Sequence, residues 1–208
     1  PVRLQSSHLQ DYRAAIDQLR RLEVIYPCFC TRRSIQQEIE RMAIAPHAED
    51  AANIYPGICR GLCHQEQERR MQTSPFAWRL NAIKAMALID APLCWHDDQG
   101  ISHMADIDHD EVIGRKDISF SYHLSVVVDD AIQGITHIIR GKDLESSTGI
   151  HRLLQQLLGL PEPIYIHHPL IHTTSGERLA KRNGATTLAS LRGMGVDPEK
   201  LRGCLLAL

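Results

Sequence analysis

The chain has 208 residues, 43% of them hydrophobic, and its 23 Lys and Arg against 25 Asp and Glu leave a formal net charge of -2. That is apolar material for one extended domain or two small ones, and too little positive charge to draw the whole molecule onto nucleic acid or an anionic membrane, so any RNA contact has to come from a local patch. No stretch approaches the ~18 apolar residues of a membrane span and no basic-then-apolar leader opens the sequence, which points to a reducing cytoplasm with Cys94 and Cys204 as buried thiols rather than halves of bridges.

In chain order, Leu9, Tyr12, Ile16, Leu19 and Leu22 recur at steps of three and four across residues 8–24, the apolar face of an amphipathic helix. The helix leads into "YPCFCTRRS", where Cys28 and Cys30 stand one residue apart. A Cys-x-Cys pair cannot easily close on itself, because alternate strand positions face opposite ways and the small ring would be strained. Residues 34–53 start as a helix and turn into Ala, Pro and acidic residues, which reads as a solvent-exposed excursion. The Pro-Gly turn of "IYPGICRGLCHQ" then brings Cys59 back, followed by Cys63 and His64 within one helical turn. Short alternating runs follow in "FAWRLNA", "APLCWHDDQG" and "HDEVIGRKD", suggesting a small antiparallel sheet. "SYHLSVVVDDAIQGITHIIRGKDL" predicts two strands, 122–128 and 135–140, joined by a turn around Asp129, Asp130 and Gly134. "SSTGIHRLLQQLLG" predicts a helix capped by Ser or Thr and stopped at Gly159. Strands alternating with helices imply an α/β layer architecture.

Two stretches carry chemistry. Cys28, Cys30, Cys59 and one further ligand can hold zinc tetrahedrally, clamping the base of the excursion; Cys63, His64 and Tyr55 all compete for the fourth place. "YIHHPLIHTTSGERLAKRNGA" runs from a strand through a Gly-containing loop into Arg178, Lys181 and Arg182, and such a basic loop can follow charge on a triphosphate during nucleotidyl transfer.

Taken together, Cys28-Phe-Cys30, "IYPGICR", Tyr122 with "VVVDD", "ITHIIRGKDL" and "HHPLIHTTSGERLAKR" resemble the bacterial glutamyl-Q tRNA(Asp) synthetases, relatives of the class I glutamyl-tRNA synthetases, over nearly the whole chain. The resemblance implies an α/β class I catalytic domain, Rossmann-like and partial, with a small zinc-binding insertion: residues 1–27 and 121–208 as catalytic segments and residues 28–120 as the zinc-bearing, β-rich insertion. It implies Tyr122 and Arg140 as glutamate-binding residues, and "RLAKR" as the KMSKS-type loop with Lys181 as its catalytic, ATP-binding lysine. Arg178 and His168 are carried over to the ATP side, and Tyr55 is chosen over Cys63 as the fourth zinc ligand beside Cys28, Cys30 and Cys59. The implied activity is activation of glutamate by ATP, with magnesium, and transfer to queuosine in the anticodon of tRNA(Asp), with no membrane and no obligate protein partner. Glutamyl-tRNA synthetase-like charging of a tRNA end and a catalytically inactive zinc-stabilised RNA-binding remnant are the competing expectations. The family's HIGH-type motif and its Arg-Phe-Ala-Pro-Ser segment are not among these 208 residues, and residue 1 is Pro, as expected for part of a longer protein. The loop from Cys30 to Tyr55 is longer than usual for the family, and Ala180 stands where its loop often has serine.

Overall fold

Helix α1, Leu9–Arg21, turns Tyr12, Ala15, Ile16 and Leu19 inward and leaves its polar residues outside, as the three-four spacing predicts. The computed structural model describes residues 3–35, 37, 55–115, 120–173, 176, 178, 179 and 186–206. Residues 32–35 are helical, and the rest of the expected excursion lies almost entirely outside the described residues. None of the described helices is long and apolar enough to cross a membrane.

The described chain divides into two units: Pro1–Arg140 with Leu144–His167, and Gly141–Asp143 with His168–Leu208. In the first, strands β1 (Ile25–Cys28), β2 (Ala77–Leu80) and, later in the chain, Val112–Arg115 form an antiparallel sheet with β2 in the middle. Between them come helix α2 (His64–Thr73), helix α3 (Ala82–Met86) and the small antiparallel pair β3 (Cys94–His96) and β4 (Ser102–Met104), so that Val112–Arg115 is β5. Helix α4 (Tyr122–Ile132), strand β6 (His137–Gly141), helix α5 (Thr148–Leu158) and strand β7 (Ile164–His168) follow, with β6 paired to β7.

The core of this unit joins α1, α4 and α5 to the sheet through Leu19, Leu80, Ile113, Leu124, Leu153 and Leu154, all fully buried. Two glycines of α5 serve its placement. Gly149 lies so close to Asp106 that a Cβ would stand 2.5 Å from its carbonyl oxygen, and Gly159 ends the helix at φ 67, a left-handed cap that favours glycine.

Residues 122–128, read from sequence as a strand, are helical. Ser121 accepts the Leu124 N–H at 3.3 Å as an N-cap, and Leu124, Val127 and Val128 share the buried face, so packing at helical spacing overrides the strand preference of the Val run. The turn expected at Asp129 and Asp130 is therefore the end of α4. Asp129 points inward, accepting from the Tyr12 hydroxyl at 2.7 Å, from Arg3 Nε at 2.7 Å and from Gln5 at 3.0 Å. Strand 135–140, by contrast, is found as β6. Cys204 is exposed rather than buried, and Cys94 is half-buried, 3.5 Å from Met104 Sδ.

The second unit holds the chain from His168 onward. Leu179 N–H donates to the Ile171 carbonyl at 2.9 Å, and His172 bridges Arg178 in antiparallel fashion. Helices α6 (Leu188–Gly193) and α7 (Pro198–Leu206) complete it, with Thr187 capping α6 through a bond from Ser190 N–H at 3.1 Å.

Candidate functional site: a cysteine-tyrosine knot and a buried arginine

The end of β1 delivers Cys28 and Cys30, and the turn 55–60 brings Tyr55 and Cys59 against them. Gly57 makes this turn possible: its φ is 77, and a Cβ there would lie 3.1 Å from the Arg60 guanidinium carbon. The sulfurs of Cys28, Cys30 and Cys59 all lie within 4.8 Å of one another. Cys30 Sγ is 3.5 Å from Cys59 Sγ and 3.7 Å from the Tyr55 hydroxyl, which is 3.3 Å from Cys28 Sγ. Ligands about 2.3 Å from a tetrahedral zinc stand about 3.8 Å apart, so these donors suit that ion in spacing, and the three thiols suit it in softness. The Cys59 N–H donates to the Tyr55 oxygen at 3.0 Å and the Phe29 N–H to Cys59 Sγ at 3.4 Å, orienting the ligand atoms from the backbone. Cys63 is exposed, and the His64 side chain is 84% exposed, 3.6 Å from Glu68; both stand outside the knot.

The Cys28 thiol is pulled down, first by its hydrogen bond with Cys59 and further by Tyr55, against the opposing effect of burial. Cys59 is pushed up, first by that same bond, and Tyr55 is pushed up chiefly by burial. The Arg79 guanidinium stacks 3.8 Å from the Tyr55 ring centroid, a cation–π contact at the edge of the knot. Asp110 ties the knot to the core. It is fully buried and accepts from the Tyr26 hydroxyl, from Arg60 Nε at 2.8 Å and from Ala82 N–H at 2.9 Å.

Arg140, at the end of β6, is 8% exposed. Its Nη2 donates to Thr148 Oγ1 at 2.7 Å, Nη1 to His151 Nδ1 at 2.9 Å and Nε to His167 Nε2 at 3.2 Å, and its guanidinium lies over the Tyr165 ring at 5.1 Å. Among the described residues no carboxylate forms an ion pair with it, although Asp130 is close enough to feel its charge. A guanidinium has five N–H donors, so the three bonds it makes among the described residues leave two. Tyr122, half exposed on the first turn of α4, sets its ring 5.7 Å from that of His151. It also lines an open cavity of about 320 Å3 together with Glu111 and His123. Thus the structure brings Tyr122 and Arg140 around one histidine. Thr148, His151, His167 and His123 were not anticipated; the available signal was a histidine on the apolar face of α5.

His168 and Arg178 lie in the second unit. His168 is exposed, with Nδ1 donating to the Pro169 carbonyl at 2.9 Å. Arg178 Nη2 donates to Asp143 at 2.7 Å and lowers that carboxylate's pKa. Lys181 lies outside the described residues.

A family model of the class I tRNA synthetases (E and Q), catalytic domain, matches residues 1–208. A glutamyl-Q tRNA(Asp) synthetase of Rhodobacter capsulatus is 37% identical over 207 residues, spanning 97% of this chain and 74% of the relative. The chain is a member of the glutamyl-Q tRNA(Asp) synthetase family. Members from Nocardia farcinica and Nitratidesulfovibrio vulgaris are 43% and 37% identical, each over 99% of this chain but only 62% and 61% of their own lengths, so the chain spans between 61% and 74% of these three relatives. A glutamate tRNA ligase of Elizabethkingia meningosepticum, crystallised with its amino acid, superposes with a TM-score of 0.67 at 25% identity, covering 88% of this chain and 38% of that one. For this glutamyl-Q synthetase family member the α/β class I catalytic fold is therefore established, and it is the setting in which the knot and the buried arginine occur.

Proposed function

We propose that the chain belongs to a cytoplasmic enzyme that activates glutamate with ATP and transfers it to queuosine in the anticodon of tRNA(Asp). Residues 28–120 would form a zinc-bearing insertion between the catalytic segments 1–27 and 121–208. The observation that carries the reading is Arg140: a buried cation with no carboxylate among the described residues and two uncommitted donors. Buried charges are ordinarily paired, and a planar fork matches a carboxylate in two bonds, which a lysine cannot reproduce. Glutamate supplies that carboxylate, with Tyr122 beside it. In the activation step a glutamate carboxylate oxygen attacks the α-phosphorus of ATP and pyrophosphate leaves. Lys181 stabilises the phosphate charge as it develops, and Arg178 and His168 contribute to the nucleotide side. Magnesium accompanies the ATP. Zinc held by Cys28, Cys30, Cys59 and Tyr55 is structural, giving folding energy to a segment with little apolar area of its own.

The experiment is glutamate-dependent ATP–pyrophosphate exchange, followed by transfer of labelled glutamate to tRNA(Asp) with and without queuosine. Exchange driven by glutamate and label appearing only on the queuosine-containing tRNA is expected. Label on the 3′ end of a tRNA(Glu) would instead make the protein a glutamyl-tRNA synthetase.

A further inference from the structure

The groups that hold Arg140 form a row with one consistent arrangement of protons. A guanidinium nitrogen only donates, so the contact of 2.9 Å from Arg140 Nη1 to His151 Nδ1 leaves that ring nitrogen without a proton. A neutral His151 then carries its proton on Nε2, which lies 3.0 Å from His123 Nδ1 and donates to it. His123 in turn keeps its proton on Nε2, 3.8 Å from Glu111 Oε1. His151 is 1% exposed; burial first, and the charge of Arg140 second, push its pKa down to about 2, and burial lowers that of His123 as well.

We propose that His151 is a positioning residue for Arg140, with its tautomer set by His123. This rests on the reading that Arg140 grips a glutamate carboxylate. A neutral imidazole suits the position because it accepts a hydrogen bond without neutralising the cation. A carboxylate at 151 would pair with Arg140 and compete with the ligand for the same charge. The charged or titratable groups facing the histidine pair are Arg140 from β6, Tyr122 on α4, and Glu111 and His109 from the segment that enters β5. A proton added to His123 Nδ1 would meet the His151 Nε2–H. It would force His151 into the other tautomer, with N–H facing N–H at Arg140, so the hold on the guanidinium weakens as the pH falls.

The tautomer is read directly on the 15N-labelled protein by long-range imidazole correlations, with no variant required. An unprotonated Nδ1 and a protonated Nε2 on His151 at pH 7 are expected. A protonated Nδ1, or an imidazolium, would overturn the proposal. Next, the Arg140 side-chain N–H resonances are compared in wild type, His151→Leu and His151→Gln. The leucine variant should lose their restrained, slowly exchanging character, and the glutamine variant should keep it, because its Oε1 can accept; identical behaviour in all three would also overturn the proposal. Finally, glutamate affinity should fall about tenfold or more in His151→Leu and recover in His151→Gln. A loss in Arg140→Lys without one in His151→Leu refutes the positioning role and spares the glutamate reading. No loss in Arg140→Lys refutes that reading, and the resonance measurements then decide the positioning role by themselves.

Discussion

Asp110→Asn is an isosteric change that removes one charge from a fully buried side chain. Its three partners respond differently. The Ala82 N–H can still be met by the amide oxygen, and the Tyr26 hydroxyl can turn to accept from the new NH2 group. Arg60 Nε can only donate, so the amide nitrogen would face it donor to donor. A hydrogen bond to a charged group contributes about 1.5–3 kcal/mol, and the Arg60 side chain, 32% exposed, can recover part of this from water. The expected loss is therefore about 2 kcal/mol for Asp110→Asn. It rises toward about 4 kcal/mol for Asp110→Ala, which strands all three donors. Urea denaturation followed by circular dichroism measures this, with the midpoint shifting and the slope unchanged. Since Arg60 follows Cys59 directly, the same variant should also surrender zinc to a chelator faster than wild type. Asp110→Asn within about 0.5 kcal/mol of wild type, the range of an ordinary surface change, would refute the idea that this carboxylate anchors the knot.

Purified protein should hold about one zinc per chain, kept in Cys63→Ser and lost in Cys59→Ser; elemental analysis giving the opposite pattern would exchange the two ligands. In the full-length enzyme Arg140→Lys should weaken glutamate use by the roughly 1.5–3 kcal/mol of a charged hydrogen bond while still folding, and exchange kinetics at varied glutamate will show it. The 208 residues alone should give no glutamate-dependent pyrophosphate exchange, whereas fusion to the HIGH-type half of a relative should restore it, because activation needs both reactants held in near-attack geometry. The His109 ring is raised to about 9, first by Glu111 and then by Asp108. Its contribution to stability is therefore complete below its unfolded value of about 6.5 and lost as the pH rises toward 9, and the stability difference between wild type and His109→Gln across that window should shrink accordingly.

The meeting of three thiols was legible because its chemistry is local: a Cys-x-Cys and a Pro-Gly turn bring Cys28, Cys30 and Cys59 together, whatever the rest of the chain does. Choosing Tyr55 over Cys63 was not legible in the residues themselves. What the structure adds is that the Tyr55 hydroxyl lies against Cys28 and Cys30 while Cys63 ends its turn exposed ahead of α2. Helix α4 was misread because Val126, Val127 and Val128 favour a strand by intrinsic preference, while the deciding contacts reach far along the chain. Asp129 turns inward because Arg3, Gln5 and Tyr12 are there to meet it, more than a hundred residues away. The histidines around Arg140 were hidden for a similar reason: His123, His151 and His167 come from three separate elements, and no spacing rule connects them.

The knot also governs how much the sequence between its two halves is free to vary. With Cys30 and Cys59 held 3.5 Å apart at the sulfurs, the two ends of the intervening sequence are brought together. The entropy of closing such a loop grows only with the logarithm of its length, so doubling it would cost about 0.6 kcal/mol if the added residues stayed unfolded. By that logarithm, lengthening the sequence between the two cysteine segments costs little stability, so chains that differ widely in that length can share the same knot.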